Sequence, residues 1–298
     1  MTAQWIPDID DDDEDPVRSR HSRGADRIAE MLAQIPVVSR KEHIREFAQN
    51  YHAGQHATYL GPSGRGKTKL MGQHLVATLR RHKEMEGRIL HGKIKGRDET
   101  IIKLSAEGFP ITTGSELTRM DKIRWNLRNK NKRRLGFISR PLTRPMGSAD
   151  SDDDLTEREN SLLHKVFRRT IYKSYHAKKK KPVILVCDEA HQLHNDLKLR
   201  KACEAPLMRG RPVCGVWSLV QRGRYVSYMV YDQAEHVFIF YDPDIDNQRR
   251  YAEIGGVDPM LLRELSQKLT SKTAADGSTY SQCIYFRRSG NHIVIVDT

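Results

Sequence analysis

The stretch GPSGRGKT, Gly61 to Thr68, limits what this chain can fold into more than any other. It fits G-x-x-x-x-G-K-[ST], the loop whose backbone amides wrap nucleotide phosphates. Glycines let successive N–H groups point into one concavity, an anion nest that side chains would block. Lys67 can then reach the β/γ-phosphates, and the Thr68 hydroxyl can hold Mg²⁺. The candidate phosphate-binding segment is Gly61, Pro62, Ser63, Gly64, Arg65, Gly66, Lys67, Thr68 and Lys69. Such a loop needs a strand before it and a helix N-terminus after it. His56 to Leu60 is strand-like, and Lys67 to Arg81 carries Leu70, His74, Ala77 and Arg81 at helical spacing. The loop therefore reads as part of a nucleotide-binding protein.

At 298 residues the chain suits one large or two small domains and can bury a sizeable core. A formal charge of +13 implies an acidic partner, nucleic acid ahead of anionic lipid; a charge that only aids solubility is the other reading. Cys187, Cys203, Cys214 and Cys283 show no C-x-x-C spacing, so neither a zinc site nor a disulfide framework is indicated. There is no apolar run of about 18 residues and no signal-peptide core, so the expectation is a soluble, cytoplasmic protein with no membrane span. Residues 1–23 read as a tail. Asp8 to Asp15 is nearly continuous acid and Arg18, Arg20 and Arg23 follow, so like charges repel. A solvated terminus and a competitor of DNA for basic surface are both open readings.

The remaining pattern alternates. Ser39 and Glu42 are placed as a capping box before a helical face of Ile44, Phe47, Ala48 and Tyr51. A second strand is expected near Arg88 to Ile94. A helix follows within residues 96–109, with Ile101, Ile102 and Leu104 at its buried side and Gly108 ending it. Residues 115–134 carry Leu117, Met120, Ile123 and Leu127 at helical spacing, then the basic run Arg128, Lys130, Lys132, Arg133 and Arg134. That run is either a DNA-backbone contact or a solvated helix end. Leu135 to Ser139 is strand-like, 141–154 a flexible loop, and Leu155 to Ala177 a helix with Leu162, Leu163, Val166 and Phe167 inward.

Val183 to Cys187 is continuously apolar, as the buried centre of a parallel sheet should be, and ends in Asp188-Glu189. Two carboxylates there are costly unless they bind a cation or activate a water. Asp188 is the candidate support for Mg²⁺, Glu189 the candidate to polarise an attacking water. The strand Cys214 to Val220 runs into Gln221, placed to feel a γ-phosphate or else a simple loop residue. Val237 to Tyr241 is a further strand. Asp246 to Ile254 and Asp258 to Leu269 are helical around Gly255-Gly256. Cys283 to Phe286 and His292 to Val296 form a terminal β-hairpin around Ser289-Gly290-Asn291. The fold class is α/β, a mostly parallel central sheet flanked by helices, in one domain over 24–298.

From about Gln55 onward the chain resembles P-loop ATPases of the FtsK–HerA superfamily, which include viral genome-packaging ATPases. The resemblance rests on GPSGRGKT, KIKGRDETIIKLSAEGF, ILVCDEA, RGRPVCGVWSLVQRGRYVS and IDNQRRYAEIGGVDPMLLRELSQKL with its hairpin. It implies a RecA-like core using ATP and Mg²⁺, and a ring, often a hexamer, that pumps double-stranded DNA. It gives Gln221 the place of the family's sensor glutamine. It also implies an arginine donated across the subunit interface, with Arg209 and Arg211 the candidates and Arg224 behind them. Gly223 stands where the family commonly has proline. The compact form is similar to a packaging ATPase, whose partner would be a capsid vertex or a membrane portal complex. A conjugative DNA-transfer pump and an ATP-gated assembly protein that moves no DNA are the alternatives. Asp188-Glu189-Ala190-His191 also spells the DEAH box of certain helicases, which need two RecA-like domains; this chain has one phosphate loop. His191 is read as starting the next helix.

Overall fold

The computed structural model of the protein describes residues 28, 30–92, 99–129, 132–141, 152–210, 212–221, 226–252, 254, 257–273, 279–290 and 292–297. The chain divides into two units, Met1–Ile35 and Pro36–Thr298, each taken by itself. In the first, residues 30–34 are helical (α1). The expected tail over 1–23, and all of the expected 141–154 loop between 142 and 151, lie outside the described residues.

The second unit opens with β1 (Val37–Val38), α2 (Arg40–Asn50), β2 (Ala57–Leu60), α3 (Lys67–Arg81) and β3 (Glu86–Leu90). It continues through α4 (Glu99–Glu107), β4 (Ile111–Thr112), α5 (Arg119–Arg128), β5 (Gly136–Ser139) and α6 (Asp152–Tyr175). Then come β6 (Val183–Cys187), α7 (Ala190–Asn195), α8 (Arg200–Arg209), β7 (Cys214–Val220), α9 (Met229–Asp232) and β8 (His236–Phe240). The chain ends with α10 (Ile245–Ala252), α11 (Pro259–Lys268), β9 (Ser271–Thr273), β10 (Thr279–Ser281), β11 (Cys283–Arg287) and β12 (His292–Val296).

A 10-stranded sheet takes the order β1-β12-β11-β8-β2-β7-β6-β3-β5-β4, and β9 pairs with β10 in a separate ribbon. From β8 across to β4 every pairing is parallel; β11 runs antiparallel to both β8 and β12, making the expected terminal hairpin. Strands β2, β6, β7 and β8 are buried at every position, as strands covered on both faces by crossover helices must be. Ser39 caps α2, its Oγ accepting from the Glu42 N–H at 3.2 Å. Beneath α2 and α3, Tyr59 lies stacked on Phe238 at 4.5 Å, with Phe47, His74 and Trp217 closing the aromatic core. Among the described residues no helix is long and apolar enough to cross a membrane.

Several boundaries differ from the sequence reading. Strand β3 begins at Glu86 and stops at Leu90, because its register with β6 runs only from Glu86↔Val183 to Leu90↔Cys187. Helix α6 begins at Asp152 and ends at Tyr175. Ile102 and Leu162, expected at buried faces, are 43% and 41% exposed. Each neighbours a buried residue, Ile101 and Leu163, and one step of about 100° turns it off the core face. Helix α5 departs most. A capping box between Thr118 and Asp121 starts it at Arg119, and Met120, Ile123 and Leu127 face solvent while Trp125 is buried. Its inward side is fixed by Asp121, which accepts from the Thr112 hydroxyl at 3.1 Å. Arg133 donates to the carbonyls of Leu79 and Lys83, and Lys132 to that of Ala106, so two members of the basic run cap the C-terminal ends of α3 and α4. Strands β1, β4, β9 and β10 were not expected; two or three residues carry no readable period.

Two expectations follow from this packing. Gly87 and Gly136 face each other across β3 and β5, and a Cβ on Gly136 would fall inside the Gly87 carbonyl. Gly136→Ala should destabilise the fold by about 3 kcal/mol, seen as a fall in thermal midpoint. Gly290→Ala, with nothing within 4 Å of its added Cβ, should leave the midpoint unchanged. Burial holds His43 down at about 4 and His236 at about 3 from an ordinary value of 6.5, and pushes His74 down as well. The unfolded chain then binds more protons, so this stability is complete above pH 6.5 and is lost as pH falls towards 4 and 3. Urea unfolding at pH 5 should show a loss of about 2 kcal/mol relative to pH 7 from each of His43 and His236.

Candidate nucleotide-binding active site

Because β2, β7, β6 and β3 are adjacent and parallel, whatever follows each strand emerges at one edge of the sheet. Leu60 pairs with Val220, and Leu90 with Cys187. Gly61 therefore follows beside Gln221 and Asp188 beside His91, all at one edge, with Gln221 two residues further along than Asp188 because Cys187 pairs with Ser218.

Gly61 starts the loop, its N–H donating to the Val220 carbonyl at 3.1 Å. It has φ 140°, and an added Cβ would lie 2.8 Å from Cβ of Phe240. Gly64 and Gly66 are also left-handed, at φ 78° and 86°, where only glycine sits without strain. Gly66 is the N-cap of α3 and supplies no side chain, so the first amides of the helix stay open to an anion. Lys67 is buried and its Nζ donates to the Pro62 carbonyl at 2.7 Å, which holds the ammonium across the loop. Ser63 is exposed, while Pro62, Arg65, Thr68 and Lys69 are half-buried. The Arg65 guanidinium lies 5.2 Å from the centre of the Tyr241 ring, anchoring the loop to the end of β8.

Opposite the loop, Asp188 is buried and its Oδ2 lies 2.7 Å from Nδ1 of His91. Glu189 adopts φ 56° and ψ 60°, a left-handed backbone that costs a non-glycine residue about 1–2 kcal/mol. That turn re-aims the chain between β6 and α7 and leaves Oε1 of Glu189 accepting from Nε2 of Gln221 at 3.1 Å. The two strand-end residues are thus in direct contact. His191 lies in the first turn of α7. Thr68 and Asp188 offer hard oxygen donors suited to Mg²⁺, an ion that takes its remaining ligands from phosphate and water. Among the described residues there is no group of three or more His, Cys, Asp and Glu able to hold a metal by itself.

The arginines stand apart from this edge. Arg209 is exposed at the end of α8, and Gly210 bonds to Cys214 at the start of β7. Along the seven residues of β7, at about 3.3 Å each, that is roughly 20 Å from Gln221, at the opposite edge of the sheet. Arg211 and Arg224 lie outside the described residues, as does Gly223. His91 and Tyr241 were missed in the sequence. Placing the second strand at Arg88 to Ile94 made His91 a strand residue, and only the true end at Leu90 puts it beside Asp188.

No family model and no curated protein matches the chain. Solved structures do. The genome packaging NTPase B204 from Sulfolobus turreted icosahedral virus 2, in complex with sulfate, is 14% identical over 82% of this chain and 96% of that one, with a TM-score of 0.50. The DNA-packaging ATPase B204 from Sulfolobus turreted icosahedral virus is 16% identical over 83% and 98%, TM-score 0.48. The pCW3 conjugation coupling protein TcpA is 11% identical over 82% and 60%, TM-score 0.42. The first of these shows a shared fold, an α/β P-loop ATPase core.

If the loop binds phosphate through its amides and Lys67, Lys67→Ala should weaken binding of a fluorescent ATP analogue about 100-fold, read by anisotropy, with the thermal midpoint within a few degrees of the parent.

Proposed function

We propose that the protein is an ATPase that couples ATP hydrolysis to movement of double-stranded DNA, of the genome-packaging kind. One observation carries the reading: the phosphate loop, Asp188, Glu189 and Gln221 converge on adjacent strand ends, with Gln221 bonded to Glu189. A chain that only bound nucleotide would have no use for a carboxylate held at a strained turn next to the loop. The fold shared with a genome packaging NTPase and the formal charge of +13 support DNA as the partner.

In this reading the loop amides and Lys67 hold the β- and γ-phosphates. Thr68 and Asp188 would hold Mg²⁺, which when bound neutralises charge on the phosphate oxygens. Glu189 accepts a proton from the attacking water and orients its lone pair towards the γ-phosphorus. Gln221 ties the position of Glu189 to the end of β7, so loss of the γ-phosphate and the set of the carboxylate are felt by one strand. Arg209 sits too far along β7 to serve its own loop, which suits an arginine given to a neighbouring copy in a ring; Arg211 is the other candidate for that role. An arginine supplied in trans is worth about three to five orders of magnitude in rate.

Glu189→Gln should keep ATP affinity within about threefold while hydrolysis, measured by phosphate release, falls at least about 100-fold. For the parent, specific activity should rise with protein concentration and with added duplex DNA, and the DNA effect should fade steeply with salt. Activity indifferent to both concentration and DNA would leave an assembly ATPase that moves no DNA as the better reading.

A further inference from the structure

His91 belongs to none of the motifs, yet it makes a close polar contact with Asp188. Its ring is buried, 1% exposed, and follows directly on Leu90 at the end of β3. Its own N–H donates to the Ser139 carbonyl at 3.1 Å on β5, and the Asp188 N–H donates to the Leu90 carbonyl at 3.2 Å on its other side. The backbone is therefore pinned between two strands, and the ring meets Asp188 at 2.7 Å through Nδ1. Nε2 is buried without a hydrogen-bond partner among the described residues, so the Asp188 bond is the one that fixes the ring.

We propose that His91 is a positioning residue for Asp188, deepening the reading of the site as an Mg²⁺·ATP site and resting on it. A ring N–H donated to Oδ2 restrains rotation of the carboxylate and leaves Oδ1 as the oxygen to offer a cation. It also satisfies one oxygen of a buried anion that has no solvent to turn to. The carboxylate is thereby set before a cation arrives, and the metal meets an oxygen that need not reorient. Outer-shell partners of this kind are worth about 10–100-fold in metal affinity. Asp188 selects the cation; His91 sets the angle at which it is offered.

The test uses the full chain loaded with ADP and Mn²⁺ as a spectroscopic probe, with Mn²⁺ affinity read by electron paramagnetic resonance. ADP affinity in EDTA and the thermal midpoint are measured on the same samples. His91→Leu keeps the volume and removes the donor, and should weaken Mn²⁺ binding at least about tenfold with ADP affinity in EDTA unchanged. His91→Asn puts an amide N–H at nearly the reach of Nδ1 and should recover the affinity to within about threefold. Should H91L fail to fold, H91A takes its place. Unchanged Mn²⁺ affinity in H91L, or an H91N chain that folds yet is as impaired as H91L, overturns the inference and leaves the ATPase reading standing. A parent that binds Mn²⁺·ADP but never hydrolyses ATP overturns the ATPase reading while the Mn²⁺ titrations still decide His91. A parent that binds no Mn²⁺ with ADP overturns both.

Discussion

A strand covered on both faces has nowhere to put a charge except at its ends, and the site is a consequence of that restriction. Strands β2, β6 and β7 are sealed by helices and by each other, so their interiors carry no charged residue, and polar groups that need solvent or a ligand emerge after them, together. Because the three are parallel, those groups share one edge, and because they are neighbours, the groups touch. No long-range guidance is needed to bring Gln221 to Glu189 or Asp188 to His91. Hydrogen-bond register brings the strand ends to one edge, with Leu90 level with Cys187 and β7 running two residues past Ser218, the partner of Cys187, to Val220.

That is also why much of the site could be read from the sequence. The loop, Asp188, Glu189 and Gln221 each follow an apolar run whose end is visible in the residue types, and α3, β6 and β7 begin and end where the pattern places them. What could not be read is what depends on partners in space. β3 contains Glu86, Gly87 and Arg88, so its apolar signal is thin and its end was displaced, and His91 with it. The stripe on α5 obeyed helical periodicity and still faced outward, because periodicity reports that a helix has a distinct face and says nothing about what covers it. β1 and β4 owe their existence to the edges they complete, not to their own two residues.

Charge shows the same separation between count and place. The excess of cations suggests an acidic partner, yet several arginines and lysines hold the chain's own carbonyls and carboxylates. Arg133 and Lys132 close helix ends, Arg287 pairs with Glu235, and Arg288 donates to the Tyr231 carbonyl. A cation whose hydrogens are taken up in this way contributes to the field of the protein while offering little to a phosphate at contact distance. A footprint for DNA drawn from the sequence alone would have included residues engaged elsewhere.

The position of β2 has a consequence for how the protein is made. Both of its sheet neighbours, β7 and β8, lie about 150 residues or more further along the chain, so contact order is high at the strand that carries the loop. On a ribosome the loop's sequence emerges well before these partners, and its strand stays without its sheet neighbours until β7 and β8 have followed. β1, at one edge of the sheet, waits longer still, since Val37 pairs with Ile295 in β12. The nascent chain thus carries the glycine loop and β2 without their sheet neighbours over that interval. The loop's amides take up their arrangement only when the sheet has closed around them.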